Sequence, residues 1–532
     1  MPFLYLLLNN MQLRKIDLAD THSFSSFFLD YVSGRDALKP FFNHPPSVQG
    51  LGAQTEQKKF FPAATRQVLV SALRRQYKSL NPTGAVAANI ELLEQPTTFT
   101  ITTGHQLNIF TGPLYFVYKI VTVINACKQL KAAYPHHHFV PVYWMASEDH
   151  DYEEIKSFRV AGKKYVWETA QTGAVGRFAP TGLGDLAESL PADASLFAEA
   201  YAKNKTLGDA VREYVHRLFE AEGVVVVDAD DAELKRLLVP VIQADVLENQ
   251  PVALVAQTNQ RLQVVGYHPS VHARDINFFY LDAQTRGRIE KQGDFFRVLD
   301  SPLVFTKAEI EKRIHDHPEQ FSPNVILRPL YQEMILPNVA YVGGPAEMVY
   351  WLQLKGVFDF FRQPFPVLLP RNFALIVDAP TARKREKTGL DLALYFQEKN
   401  YLFNHWVINH SQANVSTGAE QRQVAALFQA LRTRAGAIDS TLQPNIEAQA
   451  QRAVNALAAI ETKMLRAEKR KQADKLRQIE AVKDHLFPQG GLQERTDNLL
   501  NFYPADRYFL THLLTHFDPF DFRFHVLTYD EN

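Results

Sequence analysis

Thr97-Thr98-Phe99-Thr100-Ile101-Thr102-Thr103-Gly104-His105-Gln106, with a fresh start at Thr111-Gly112-Pro113 and a second apolar run at Phe139-Val140-Pro141-Val142-Tyr143-Trp144-Met145, decides how this chain folds. The first stretch is β-branched and ends at a glycine, the signature of a strand running into a loop. Thr111 reads as an N-cap with Pro113 in the first turn. Leu114, Val117, Ile120, Val121 and Ile124 then recur every three or four residues to about Lys131, which predicts a helix. The run Phe139–Met145 reads as a buried strand ending in Ser147-Glu148-Asp149-His150-Asp151. Strand, helix and strand in about 50 residues make the βαβ unit of a parallel sheet.

Outward from this unit, residues 57–80 read as a helix. Phe158-Arg159-Val160 and Tyr165-Val166-Trp167 flank a turn and read as a hairpin excursion. Helix returns over 207–222, and Gly223 leads into Val224-Val225-Val226-Val227-Asp228, a continuous apolar strand of the kind covered on both faces. Asn277–Leu281 and Val367–Leu369 are further strand candidates for the same sheet. Residues 418–438 read as helix, 440–444 as a break, and 445–486 as one long helix. In it Ile446, Ala450, Ala453, Leu457, Ile460, Met464 and Ala467 form a heptad seam. The apolar phase then moves to Leu476, Ile479 and Leu486, as a stutter would move it. The expected architecture is α/β: a doubly wound Rossmann-like core with insertions, plus a C-terminal helical antiparallel coiled-coil arm. Its expected parts are a lead-in over 1–95, a core over 96–400 with insertions at 157–220 and in parts of 285–335, an arm over 401–489, and a return to the core over 490–532.

The 532 residues are 46% hydrophobic and 22% charged, enough to bury a large core. With 57 basic and 58 acidic side chains, no bulk attraction to nucleic acid or anionic lipid is expected. Cys127 is the single cysteine, which excludes an internal disulfide and a thiolate zinc cage and fits a cytoplasmic protein. It is expected to be a buried helical thiol of ordinary reactivity. The apolar run Phe3–Leu8 is too short for a bilayer that needs about 20 residues. Residues 1–10 read as an over-called start before Met11, with Leu13, Ile16 and Leu18 in an early strand. There is no GxxxxGK[ST] loop, no GxGxxG fingerprint and no HExxH helix.

Open parallel sheets bind ligands beyond the carboxyl ends of their strands. Two polar clusters fall at such ends. Gly104-His105-Gln106 precedes a helix start whose N–H groups suit an anion, with Lys119 available from the helix. Glu148-Asp149-His150-Asp151 follows the second strand, with Glu153 and Glu154 just after. Each has a plain structural reading, as turn hydrogen bonds and as a helix cap. Their joint placement and density of ionisable groups favour chemistry. Further candidates are His268, His272 and Arg274 near the 277–281 strand, Asn324 and Arg328, the pair Gly343-Gly344 with Glu347, and Arg371 after the 367–369 strand.

Thr103-Gly-His-Gln-Leu-Asn-Ile-Phe-Thr-Gly-Pro-Leu-Tyr115 and Val142-Tyr-Trp-Met-Ala-Ser-Glu-Asp-His-Asp-Tyr-Glu-Glu-Ile155 are long, specific motifs. With Gly266–Pro269, Ser322–Pro329, Ala340–Pro345 and Gly490–Arg495, they make a chain that resembles the cysteine ligase family of bacillithiol biosynthesis, BshC. The resemblance runs from about Met11 past residue 500. It implies a Rossmann-like core with connecting-peptide insertions and a coiled-coil arm used for homodimerisation. The implied reaction joins L-cysteine to glucosaminyl-malate by an amide bond. The core is similar to adenylate-forming enzymes, in which a His–Gly motif after the first strand binds the triphosphate. Gly104-His105-Gln106 keeps one such His, and Lys384-Arg385-Glu386-Lys387 is a poor match to their lysine-rich signature. ATP or another nucleotide with magnesium is the expected cofactor. His105 would stabilise phosphate charge. Asp149, His150 or Asp151 would accept the ammonium proton. Arg328 or Arg371 would bind the malate carboxylates, with Gln106, Lys119, Glu148, His268, His272, Arg274, Asn324, Gly343, Gly344 and Glu347 as the other expected substrate contacts. Against this stands a metal-dependent hydrolase built on His105, Asp149, His150 and Asp151.

Overall fold

Thr98–His105 (β1), His138–Met145 (β2), Val225–Asp228 (β3), Asn338–Gly343 (β4) and Val367–Pro370 (β5) form one sheet in the order β5-β4-β1-β2-β3. All its pairs are parallel. The computed structural model describes residues 11–529, so the reading of residues 1–10 lies outside the described residues. The strand order reverses between β1 and β4, which is the switch point of a doubly wound fold. Register brings the strand ends level: His105 faces Met145, Met145 faces Asp228, Val342 faces Thr103 and Gly343 faces Pro370.

Burial explains the composition of these strands. β1 is covered on both faces, yet it is rich in threonine. The hydroxyls of Thr100 and Thr102 donate to Asn338 Oδ1 of β4 at 3.1 and 2.8 Å, and Thr103 Oγ1 donates to Val342 O at 2.8 Å. Paired hydroxyls cost little when buried. Tyr115–Ala133 (α1) crosses from β1 to β2 and is buried almost all round, including the free thiol of Cys127.

Several elements differ from the sequence reading. Thr111 is not an N-cap: Phe110, Thr111 and Gly112 carry φ of +52°, +68° and +60°, and α1 begins only at Tyr115. The three left-handed residues turn the chain before the helix, and Leu114 N donates to Asp497 O at 2.8 Å. The helix start is thus tied to the C-terminal region and is not an open anion site. Asn277–Leu281 is not a strand of the parallel sheet. Phe278–Leu281 pairs antiparallel with Phe321–Pro323 and with Arg286–Gln292 in a separate five-stranded sheet. Antiparallel neighbours need only short turns, whereas a parallel partner needs a long crossover. The missing core strand is β4, where Pro337 and the two glycines mask a fully buried run. Of the helix expected over 57–80 only Ala63–Gln76 forms; a separate helix, Val48–Lys58, ends before it, and Pro62 marks the new start.

Met11–Ile16 pairs with Phe524–Tyr529, which pairs with Ala374–Val377 in a second sheet. Ser157–Val160 and Lys163–Val166 form the expected hairpin. Leu207–Phe219 (α2) packs beside β3 and ends three residues before the expected limit. Gly418–Ile438 (α5) and Gln443–Lys471 (α6) lie against each other as an antiparallel pair, counting Arg328–Ile335 as α3 and Pro345–Leu352 as α4. The long helix stops at Lys471, and Ala473–Leu486 (α7) follows. The phase change at Leu476 is therefore a break, not a stutter. Leu476, Ile479, Val482 and Leu486 are buried against the core, while α5 buries no residue fully.

Candidate active site

A cleft of about 610 Å³ lies over the switch point. β1 delivers Gly104 and His105, β2 delivers Ala146 to Asp151, and β4 leads through Gly344 into α4 with Glu347. The small antiparallel sheet closes the far wall with Phe279, Arg286 and Arg288.

His105 is half-buried in the floor of this cleft. Asn108 Nδ2 donates to its Nε2 at 3.0 Å, which places the proton on Nδ1. Burial first, then the Lys119 charge, lowers its pKa to about 3, so the ring is neutral at physiological pH. Lys119 Nζ lies 2.6 Å from Glu347 Oε2 and donates to Gly104 O at 2.9 Å. Burial works to raise the Glu347 carboxyl, but Lys119, the Gly344 N–H at 2.8 Å and the Tyr341 hydroxyl at 2.6 Å bring it down to about 2. Burial holds Lys119 below the usual lysine range. This pair is a fixed floor rather than a loose cation.

Arg286 organises the acidic wall. Its Nη2 is 2.9 Å from Asp149 Oδ1, its Nη1 donates to His150 Nδ1 at 2.6 Å, and its guanidinium lies 4.1 Å from the Phe279 ring centre. Gln106 Nε2 donates to Asp149 Oδ2 at 2.7 Å. Asp149 is thus filled from both sides. Glu148 faces inward to Lys235 at 2.9 Å, and burial raises its pKa against that pull. Among the described residues Asp151 and Glu154 form no ion pair. Burial, then the neighbouring Asp151 and Asp149 charges, raises the Glu154 carboxyl.

The remaining candidates divide. Arg328 lines the cleft between the rings of Tyr341, Trp144 and Trp351. Gly104 makes room for it, since a Cβ there would sit 3.3 Å from Arg328 Nη1. Arg371 also lines the cleft, but its Nη2 is 2.6 Å from Glu494 and its Nη1 donates to Asn372 O. Asn324 spends its side chain on the turn, donating to Asn277 Oδ1 at 3.1 Å and accepting from Ile326 N at 2.9 Å. His272 and Arg274 stand exposed at the rim. His268 is exposed and outside the cleft, and Gly343 lies behind Gly344, packed on Met348 and Tyr341. Sequence reasoning missed Tyr115, Trp144, Arg286, Arg288, Tyr341, Tyr350 and Arg495, all of which line the cleft. One signal was present: in Arg286-Gly287-Arg288 the alternation puts both arginines on one face of a strand.

A metal-centred hydrolase is not favoured by this arrangement. The Arg286 guanidinium sits between Asp149 and His150, where a metal ion would have to bind, and no cluster of three or more metal-ligating side chains exists among the described residues.

Fold and cleft together define a Rossmann-like protein with a cleft of mixed charge over the switch point of its parallel sheet. Residues 11–372 match the family described as the N-terminal Rossmann-like domain of the bacillithiol biosynthesis protein BshC, and residues 374–529 match its C-terminal coiled-coil domain. The chain belongs to the BshC family, and it is an enzyme of the carbon–nitrogen ligase class. Among its relatives, a Cytophaga hutchinsonii protein is 41% identical, with 97% of this chain and 99% of that protein aligned. One from Christiangramia forsetii is 37% identical over 97% and 98%, and one from Flavobacterium psychrophilum is 39% identical over 90% and 92%. All three bear the name "Putative cysteine ligase BshC".

Proposed function

We propose that this enzyme joins the carboxyl of L-cysteine to the amine of glucosaminyl-malate, completing bacillithiol in the cytoplasm. The reading rests on one observation above all: a single cleft at the switch point holds a neutral histidine, a guanidinium without an acid partner and two carboxylates without a basic partner. Ammonium and carboxylate groups on the substrates match such a bipolar cleft. An amide forms in water only from an activated carboxyl, and ATP with magnesium would supply that activation. The hard oxygens of Glu154 would suit a magnesium ion, which leaves Asp151 free as a base. The amine attacks the activated carbonyl carbon, the phosphate oxygen leaves, and the ammonium proton passes to a carboxylate. Asp151 is the base we favour, because Asp149 is held by Arg286 and Gln106. His105, with its Nδ1 proton, donates to the oxygen that gains charge.

The α5–α6 arm supports a homodimer in this reading. Leu427 and Ile460 are 60% and 49% exposed, which leaves apolar surface for a second copy.

The test is mass spectrometry of the purified enzyme with cysteine, glucosaminyl-malate and ATP-Mg. Bacillithiol with an equal amount of AMP supports the reading. Bacillithiol formed without nucleotide consumption discards the ATP step, and absence of product together with absence of substrate binding overturns the ligase assignment. His105→Ala is expected to abolish product in a folded protein.

A further inference from the structure

Beneath the cleft lies an ion pair that no ligand can reach. Lys58 Nζ is 3.0 Å from Glu333 Oε2, with side chains 2% and 0% exposed. Glu333 Oε1 accepts from Asn338 Nδ2 at 2.6 Å and from Gln332 Nε2 at 3.1 Å. Gln332 is itself fully buried, and its Oε1 accepts from Arg328 Nη1 at 3.2 Å. Arg328 and Gln332 are one turn apart on α3, so the chain of contacts runs from the buried pair up to the cleft wall.

Arg328 differs from the other half-buried or buried cations of the cleft. Lys119 has Glu347, Arg286 has Asp149, Arg371 has Glu494, and Arg288 has Glu290 at 3.9 Å. Among the described residues no carboxylate pairs with Arg328, and its Nη2 is buried without a hydrogen-bond partner. The Glu347 carboxylate and the Tyr350 hydroxyl act on this guanidinium, but no carboxylate closes an ion pair with it, and a buried Nη2 left open in an aromatic box is matched by an oxyanion. The buried pair needs a reason, since an apolar pair of equal volume is often as stable. Glu333 supplies one: it fixes the amide nitrogen of Gln332 on its own side, so the carbonyl oxygen points to Arg328. A flipped amide would set N–H against guanidinium.

We propose that the buried Lys58–Glu333–Gln332 chain positions Arg328 as the oxyanion anchor of the cleft, the group that takes a carboxylate or phosphoryl group of the substrate. The identity of that substrate rests on the ligase reading, while the anchor does not.

The experiment is calorimetric titration of the full chain with four probes: L-malate, glucosaminyl-malate, L-cysteine and ATP-Mg. Arg328→Met is expected to weaken one source of oxyanion by about 100-fold, and Arg328→Lys to recover part of the loss, because a lysine keeps charge but not the fork. Gln332→Met, of similar volume, is expected to weaken the same probe about tenfold, leave the other probes unchanged and raise KM for that substrate with kcat nearly constant. Loss of the two malate probes assigns a malate carboxylate, loss of cysteine its carboxylate, and loss of ATP a phosphoryl group; each supports the anchor. Wild-type affinity in Arg328→Met, or no binding of any probe to the wild type, overturns the anchor. Wild-type affinity in Gln332→Met overturns the positioning chain. Product formation by the wild type is scored separately, so the ligase reading can stand while the anchor falls. Glu333→Gln is not the deciding variant, since it leaves Lys58 buried and unpaired.

Discussion

Arg371–Glu494 under the core sheet and Arg432–Glu447 in the arm pair the same two residue types. The first is 2.6 Å long with side chains 2% and 0% exposed; the second is 3.8 Å long with 39% and 65% exposed. Around Glu494 the contacts are shared, since its other oxygen accepts from Ala374 N at 3.0 Å. Among the described residues Arg432 and Glu447 share no other ion pair or side-chain hydrogen bond. In the core, charge is part of the packing, and removing one partner strands the other away from water. In the arm, charge is solvated ornament on two helices held by a seam.

Glu494→Gln is expected to destabilise the protein by about 3–5 kcal/mol, measured by urea unfolding. Arg432→Gln, its arm counterpart, is expected to stay within about 0.5 kcal/mol. Equal losses at the two sites would erase the distinction. His105 sharpens the same contrast through pH. Its pKa falls from 6.5 in the unfolded chain to about 3 in the fold, so the unfolded state binds the proton more readily. Stability from the neutral ring is complete above pH 6.5 and drains away as pH falls toward 3. Relative to His105→Gln, the wild type is expected to lose about 1.6 kcal/mol between pH 6.5 and 5, read from paired unfolding curves. Turnover gives a smaller change: Asp149→Asn, which loosens Arg286 and His150, is expected to reduce bacillithiol formation at least tenfold, about 1.4 kcal/mol, with the melting temperature little changed. The smallest effect on stability belongs to the arm. Leu427→Ser is expected to shift unfolding by less than about 0.5 kcal/mol, yet to move the sedimentation coefficient toward the monomer. An unchanged sedimentation profile would separate the arm from self-association.

In the arm α5 was legible, while the long helix expected over 445–486 stops at Lys471. The α5 limits fall at residues 418–438 as the periodicity expected, because two exposed helices obey local pattern with little interference. The βαβ unit was equally legible from β1, α1 and β2. β4 was not, since Ala340–Gly343 is short and ends in glycines, and only a parallel neighbour on each side makes it a strand. The site shows the same division. His105, Gln106, Asp149 and Asp151 declared themselves by sitting at strand ends. Arg286 and Arg288 lie more than a hundred residues away on another sheet, and no periodicity links them to Asp149.

By itself the sequence determined the class of fold, the strands that carry the polar clusters, the heptad seam and the family, because each depends on spacing along the chain. Tertiary structure alone decided which charges are satisfied. Whether Arg371 or Arg328 keeps a guanidinium for a ligand depends on Glu494 and Gln332, the first 123 residues away and the second one helical turn away. Burial set the neutral state of His105 and the low pKa of Glu347 in the same way. Desolvation and pairing are properties of the packed interior, and they exist only once distant segments have closed over the cleft.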